Sequence, residues 1–175
     1  MRLFVAINVP KKVENELIRL GDQLPQDGLK RVDDFHLTLK FLGDVDDEKV
    51  PKLVEALHKV KHAPFEISVT GIIPMPTLSH ITIVWYTVEP EDPIIDLQGK
   101  VDLVLGKWFP LETRFKPHLT MTGIKFLKNK REFVEKLGKI TLPKLSFPVT
   151  EFELVKSTLT KDGPVYERIA VFALI

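Results

Sequence analysis

The sequence predicts an α+β fold of two pseudo-symmetric lobes, each an antiparallel sheet with outer helices, facing one another across a central cleft. Three observations predict it. Strand-like and helix-like stretches follow in the order β-α-β-α-β-β-α-β-α-β-β, with strands paired by hairpins and helices left outside. The stretch from 36 onward reads strand, helix, strand, strand, and the stretch from 118 onward reads the same, which is an internal duplication of layout. Each of those stretches opens on a similar short string, Phe35-His36-Leu37-Thr38-Leu39 and Pro117-His118-Leu119-Thr120-Met121. The whole chain, 1–175, is expected to form one bilobal domain.

Taken in order, residues 2–8 alternate, are rich in β-formers and read as a strand. Pro10 opens a helix that runs to Leu20 or Leu24, a position where a missing N–H costs nothing. A strand over His36–Leu42 is stopped by Gly43. Asp46 or Asp47 caps a helix over 48–61, with Pro51 in its first turn. Strands at 65–73 and 80–88 flank a Pro-rich connection carrying Pro74 and Pro76. A 3.6-residue period over 93–108 places Ile94, Leu97, Val101, Leu105 and Trp108 on one stripe. A strand from His118 breaks near Gly123, a basic helix covers 129–138, and strands at 145–159 and 165–174 meet at the Lys161-Asp162-Gly163 turn.

The composition excludes several function classes. With 44% hydrophobic and 28% charged residues the chain is neither disordered nor fibrous. The absence of Cys removes disulfide scaffolds, thiolate metal sites and cysteine nucleophiles. No apolar run approaches the ~20 residues of a membrane span, and the start is too short for a signal-peptide apolar region, so a cytoplasmic protein without membrane contact is expected. Only three Asn and three Gln accompany the missing Cys, a depletion in the direction of thermophiles. The net charge of +1 hides an asymmetry: residues 107–144 hold 10 Lys and Arg against 3 acids. Such a block reads either as a surface for a polyanion or as a solvated helix face.

In each string the His and Thr stand at i and i+2, so in a strand they share one face, while Leu37, Leu39, Leu119 and Met121 turn to the core. An imidazole moves a proton near neutral pH and a hydroxyl donates to a phosphate oxygen. Two such pairs face to face supply an acid, a base and two hydroxyl donors, a set suited to hydrolysing a phosphodiester without a metal. The bare pattern is weak, because His80-Ile81-Thr82 repeats it; only His36 and His118 occupy equivalent places in the duplicated layout and lead into strands ended by Gly. On residues alone a two-histidine cleft stands beside polar strand faces of no catalytic use.

The sequence resembles the 2H phosphoesterase superfamily, in its 2′-5′ RNA ligase-like branch of RNA 2′,3′-cyclic phosphodiesterases. The resemblance is carried by Arg2-Leu3-Phe4-Val5-Ala6, by Phe35 to Gly43, by Phe115 to Met121, and by Phe152-Glu153-Leu154, Ser157-Thr158-Leu159 and Gly163 to Tyr166. It implies hydrolysis of an RNA terminal 2′,3′-cyclic phosphate to a 2′-phosphate, with reversible, ATP-independent 2′-5′ joining of tRNA halves in some members. By position, it implies His36 as proton donor to the leaving 3′-oxygen, His118 as proton acceptor from water, and Thr38 and Thr120 on the non-bridging oxygens. Neither metal nor other cofactor is implied, and a monomer is expected. Two departures stand out. Where many relatives carry Arg, this chain has Gly123, and a second such Arg falls near Thr82. Arg31, Lys116 and Lys125 are the candidate replacements for substrate binding, each with surface charge as the plain alternative. His80 lies near the second gap.

Other features carry less. His58 and His62 stand at i and i+4 on the second predicted helix, a zinc-compatible spacing that no partner segment completes. Lys161-Asp162-Gly163 is similar to a ligase nucleophile motif, but Thr160 stands where the Lys belongs, and no phosphate-binding Gly-rich loop is present. Phe41, Trp85 and Tyr166 are able to stack a base, and Tyr166 is retained as a substrate-binding candidate, although aromatics in strands are as a rule core. Two further readings remain open: an RNA-binding or 2′-5′-joining protein, and a phosphodiesterase for a small cyclic nucleotide.

Overall fold

The computed structural model describes residues 1–175. In chain order the elements are β1 (Arg2–Asn8), α1 (Lys11–Gly21), β2 (Leu29–Arg31), β3 (His36–Asp44), a 3₁₀ turn (Asp47–Lys49), α2 (Val50–Leu57), β4 (Phe65–Pro76), β5 (Ile81–Glu89), α3 (Glu91–Leu105), β6 (His118–Ile124), α4 (Lys130–Gly138), β7 (Leu145–Val149), β8 (Glu151–Thr160) and β9 (Gly163–Ala173). They form two antiparallel sheets, ordered β3-β1-β8-β9 and β2-β6-β5-β4-β7. A continuous cluster of 37 buried apolar residues, from Leu3 to Leu174, runs through both.

Local sequence explains the main choices. β1 is buried on both faces, Leu3, Val5 and Ile7 in the main core and Phe4 and Ala6 in a small cluster with Val155 under Tyr166, so the expected alternation is absent from its burial. α1 buries Val13, Leu17 and Leu20. Tyr86, fully buried on β5, donates its hydroxyl to the Leu17 carbonyl (2.8 Å) and so fastens α1 to the second sheet. Burial drives the Tyr86 phenol far above its ordinary range.

The expected fold class holds, and five details differ. β2 was not expected: three residues, two of them charged, carry no periodic signal. Pro74 and Pro76 lie inside β4 rather than in a connection, because β7 pairs only with 65–69 and leaves that edge of β4 open, where a missing N–H is harmless. The 145–159 stretch is two strands, β7 and β8, which part at Thr150 and enter different sheets. α3 ends at Leu105, and Trp108 packs on the core from the turn beyond it. α2 ends at Leu57, so His62 is not on it at all.

The duplication is interleaved. β3 belongs to one sheet and the β4–β5 hairpin that follows it to the other; β6 belongs to the second sheet and the β8–β9 hairpin that follows it to the first. Each sheet thus joins the His-x-Thr strand of one repeat to the hairpin of the other. The two strands carry the same irregularity. Thr38 and Lys40 pair with the consecutive Ala6 and Val5, leaving Leu39 as an extra residue; Thr120 and Thr122 pair with the consecutive Trp85 and Val84, leaving Met121 as an extra residue. A bulge of this kind shifts the alternation. The cleft-side rows therefore read His36, Thr38, Phe41 on β3 and His118, Thr120, Gly123 on β6.

Candidate active site

β3 and β6 lie in different sheets yet contact one another, which brings the two His-x-Thr rows to one cleft. A cavity of about 410 Å³ opens there, lined by His36, Thr38, Thr120, Phe4, Phe41 and Tyr166 among others. His118 is the neighbouring cleft-side residue to Thr120 on β6. The start of β3 is fixed from below, where the buried Glu14 carboxylate accepts the Phe35 backbone N–H (2.9 Å).

The two imidazoles meet different surroundings. His118 stacks on Trp85, with ring centroids 3.8 Å apart and planes 12° from parallel. Its Nδ1 lies 2.8 Å from the Lys116 carbonyl oxygen. A carbonyl only accepts, so Nδ1 carries the proton and the lone pair of the neutral ring sits on Nε2. Burial lowers the His118 pKa, and the hydrogen bond to Lys116 offsets only part of that. No carboxylate pairs with His118.

His36 has no stacking partner; Phe4 and Tyr166 present edges to it, at centroid distances of 5.6 and 5.1 Å. Asp34 Oδ1 lies 3.6 Å from Nδ1 and Glu153 Oε1 3.4 Å from Nε2, so a protonated His36 has an anionic partner at each nitrogen. Glu153 is itself buried and accepts from Arg168 Nε (2.8 Å). Burial raises the Asp34 pKa, helped by Glu14 and Glu153 and opposed by His36. The ring forms part of the wall between the cleft and a second, more polar cavity that holds Glu153 and Arg168.

Three of the expected binding residues lie elsewhere or are engaged. Arg31 pairs with Thr122 on the core-side row of β6, and its guanidinium binds Asp22 (2.7 Å) and Asp33 (2.6 Å). Position 31 is one residue out of phase with the cleft, and a one-residue shift on a strand changes the face. Lys116 is held by Glu91 (2.6 Å). Lys125 is exposed just past β6, and its backbone N–H bonds Gly28. Tyr166 does line the cleft.

The core expectation for the strand aromatics fails at the cleft: Phe41 is 76% exposed, Trp85 covers His118 and Tyr166 lies against His36. His80 is exposed in the β4–β5 turn, where its N–H bonds the Thr77 carbonyl. His58 packs edge-on against Phe172, while His62 meets Phe65 and Asp96, so the zinc-compatible pair diverges. No three His, Asp or Glu side chains gather in a metal-binding arrangement. The basic block is partly neutralised by its own acids, through Lys136–Glu132 and Arg131–Glu135, and Lys128 lies 3.9 Å from Asp27.

Sequence reasoning missed Trp85 as a cover for His118, and the carboxylates beside His36. Asp34 stands two residues before His36 and was legible by position; Glu153 comes from a strand more than a hundred residues away and was not.

A family model described as LigT like phosphoesterase matches residues 7–85 and 86–166, two successive stretches, in keeping with the duplication. The RNA 2′,3′-cyclic phosphodiesterase of Methanocaldococcus jannaschii is 31% identical over 173 residues, covering 97% of this chain and 98% of that protein. The enzyme of the same name from Archaeoglobus fulgidus is 33% identical over 178 residues, covering 98% and 99%. A crystal structure of a Thermus thermophilus protein superposes with a TM-score of 0.82 at 27% identity, covering 99% of this chain and 98% of that one. The Escherichia coli LigT structure complexed with phosphate has the same fold, with a TM-score of 0.72 at 24% identity, covering 99% and 96%. With both halves matched by the model and near full-length relatives above 30% identity, the chain belongs to the LigT-like phosphoesterase family.

Proposed function

We propose that this protein hydrolyses the 2′,3′-cyclic phosphate at an RNA end to a 2′-phosphomonoester, using His36 and His118 as acid and base and no metal. The observation that carries the assignment of roles is the contrast between the two imidazoles. His118 is stacked, half-buried and held with Nδ1 protonated, which suits a base whose Nε2 is free. His36 lies between two carboxylates, which suits a ring that enters the reaction as imidazolium.

In this reading His118 Nε2 takes a proton from water as the water oxygen bonds to phosphorus. The P–O3′ bond breaks, and O3′ takes its proton from His36. The phosphate stays on O2′. The next turnover needs His118 to lose its proton and His36 to regain one, both by exchange with solvent. Thr38 and Thr120 hydroxyls donate to the non-bridging oxygens, where charge builds up. Phe41 and Tyr166 offer aromatic surface to a base beside the cyclic phosphate. An RNA 5′-hydroxyl in place of water would give a 2′-5′ linkage by the same proton transfers, so joining of tRNA halves follows from the same site. The names of the relatives support RNA over a small cyclic nucleotide as the substrate class. The protein is read as a monomer acting on RNA in the cytoplasm, and no helix is long and apolar enough to cross a membrane.

The test is an end-group assay. A short RNA ending in a 2′,3′-cyclic phosphate is incubated with the protein in EDTA and without ATP, and the position of the product phosphate is determined. A 2′-phosphate, lost in both His36→Ala and His118→Ala, is the expected result. A 3′-phosphate, or activity that needs added metal, overturns the mechanism.

A further inference from the structure

The third place in each cleft-side row differs between the two halves, and the difference leads to Lys30. On β3 the place is Phe41, largely exposed. On β6 it is Gly123, paired with Ile83 on one side and with Lys30 on the other. Residues directly opposite on antiparallel strands share a face. Lys30 therefore stands on the cleft side of the sheet, whereas its neighbour Arg31 stands on the other.

The glycine shows where the Lys30 side chain runs. A Cβ at position 123 would meet Lys30 Cδ at 3.2 Å, Cβ at 3.4 Å and Cγ at 3.6 Å. The aliphatic stem thus lies across Gly123, in the space that a side chain there would fill. The strand that carries it is pinned. Gly28 has φ +80°, and a Cβ there would come within 2.1 Å of the Phe126 carbonyl, so only glycine allows this approach. The Gly28 carbonyl accepts the Lys125 N–H (2.7 Å), and the Lys30 carbonyl accepts the Thr122 hydroxyl (3.1 Å). Arg31 and Lys116 are spent on carboxylates, while Lys30 has no ion pair; Arg2, also without one, lines the cleft from β1.

We infer that Lys30, laid over Gly123 one step beyond Thr120, is a phosphate-binding residue that supplies the β6 side of the cleft with a cation for an RNA phosphodiester. The inference rests on the phosphodiesterase reading above. The cation meets either the cyclic phosphate itself or the phosphate one nucleotide upstream, and the experiment separates the two.

Lys30→Met keeps the stem and removes the charge at an exposed position, so the fold is retained. kcat/KM is measured on a nucleoside 2′,3′-cyclic phosphate and on an oligonucleotide with the same end. Loss of a charge-assisted phosphate contact lowers kcat/KM by about 10- to 100-fold. A loss on both substrates places the cation at the cyclic phosphate; a loss on the oligonucleotide alone places it upstream. Lys30→Arg restores most of the activity. Lys52→Met, an equal charge change on exposed α2, stays within about twofold of the parent, as an isolated surface charge should. Binding of an RNA ending in 2′-phosphate, followed by anisotropy against salt, loses roughly 0.7 from its log–log slope in Lys30→Met. A wild-type turnover that Lys30→Met matches, with the salt slope unchanged, overturns the inference and leaves the reading intact. A wild type that does not turn over the cyclic phosphate overturns the reading, and the anisotropy then still decides whether Lys30 binds phosphate.

Discussion

The two His-x-Thr strands of this protein are alike in sequence, share a bulge at the same place and present the same row of polar groups, yet they sit in opposite surroundings. β6 holds its histidine under a tryptophan, against a backbone carbonyl and away from carboxylates. β3, at the edge of its sheet, holds its histidine edge-on to Phe4 and Tyr166, between Asp34 and Glu153. The shared motif places the imidazoles; the neighbours give them unlike surroundings. The asymmetry extends below the cleft. At the bulge, Lys40 of β3 turns inward to a buried ion pair with Asp102, whereas the equivalent Thr122 of β6 turns inward to bond the Lys30 carbonyl. A symmetric layout has acquired two unlike sides, which is the basis for reading one as the acid and the other as the base.

The strongest break of this comparison removes one imidazole at a time. His36→Ala and His118→Ala are each expected to lower kcat/KM by ~10²–10⁴-fold, in steady-state assays on a cyclic-phosphate RNA. Each is also expected to remove a different limb of the pH profile: the acid limb goes with His118 and the basic limb with His36. Loss of the same limb in both variants refutes the division of roles.

Next come the inward-facing residues. Lys40→Met leaves Asp102 buried without its partner and is expected to cost roughly 3–5 kcal/mol in denaturant unfolding, whereas the equivalent Thr122→Val costs about 1 kcal/mol. Burial would raise the Asp102 pKa, but the Lys40 ammonium and the Glu112 N–H lower it more. A depressed carboxyl stabilises the fold above its unfolded pKa, and that contribution is lost as pH falls through the folded value. Wild type should therefore lose this increment on acidification, and Lys40→Met should lack it. Equal costs for the two variants would mean that the halves are energetically equivalent after all.

Trp85→Ala sharpens the contrast at His118. Water then reaches the imidazole, and its depressed pKa returns upward toward the ordinary 6.5. A base works only when deprotonated, so the acid limb of kcat/KM moves to higher pH, and activity near pH 6 falls more than activity near pH 8. A limb that stays in place shows that the backbone environment alone sets the proton state. The smallest effect is expected from Tyr166→Phe. The hydroxyl makes no hydrogen bond, and burial pushes the phenol pKa up, with Asp34 adding to the shift, so it stays neutral. The packing edge remains, and kcat/KM should change by less than about threefold; a larger fall would assign the hydroxyl a contact with substrate.

Much of this was legible in the sequence, for identifiable reasons. The His-x-Thr faces follow from a period of two, which needs only the strings themselves. The α3 stripe follows from a period of 3.6, and the β8–β9 turn from Asp162-Gly163, with Gly163 at φ +109°. What was illegible depends on long-range pairing. β2 exists because Leu29 to Arg31 find the free edge of β6. The register of β2 was not readable from the sequence, and it alone decides that Arg31 pairs with Thr122 on the core-side row while Lys30 pairs with Gly123 on the other. Lys40 reads as a solvent residue in an alternating strand until the bulge at Leu39 turns it inward. Glu153 reaches His36 only because β8 lies beside β1.

The interleaved repeats have a mechanical consequence. The chain passes between the sheets from β1 to β2, back at β3, across again at β4 and back at β8, and the two sheets share one apolar interior. The walls of the cleft are therefore not two leaves on a hinge. Spreading them would pull open the common interior, at a cost no single nucleotide could meet. A cleft built this way has its width set largely by the packing of the fold. A gap of fixed width sorts substrates by girth. For the proposed reaction, such a cleft suits a single-stranded RNA end better than a phosphate within a paired stem.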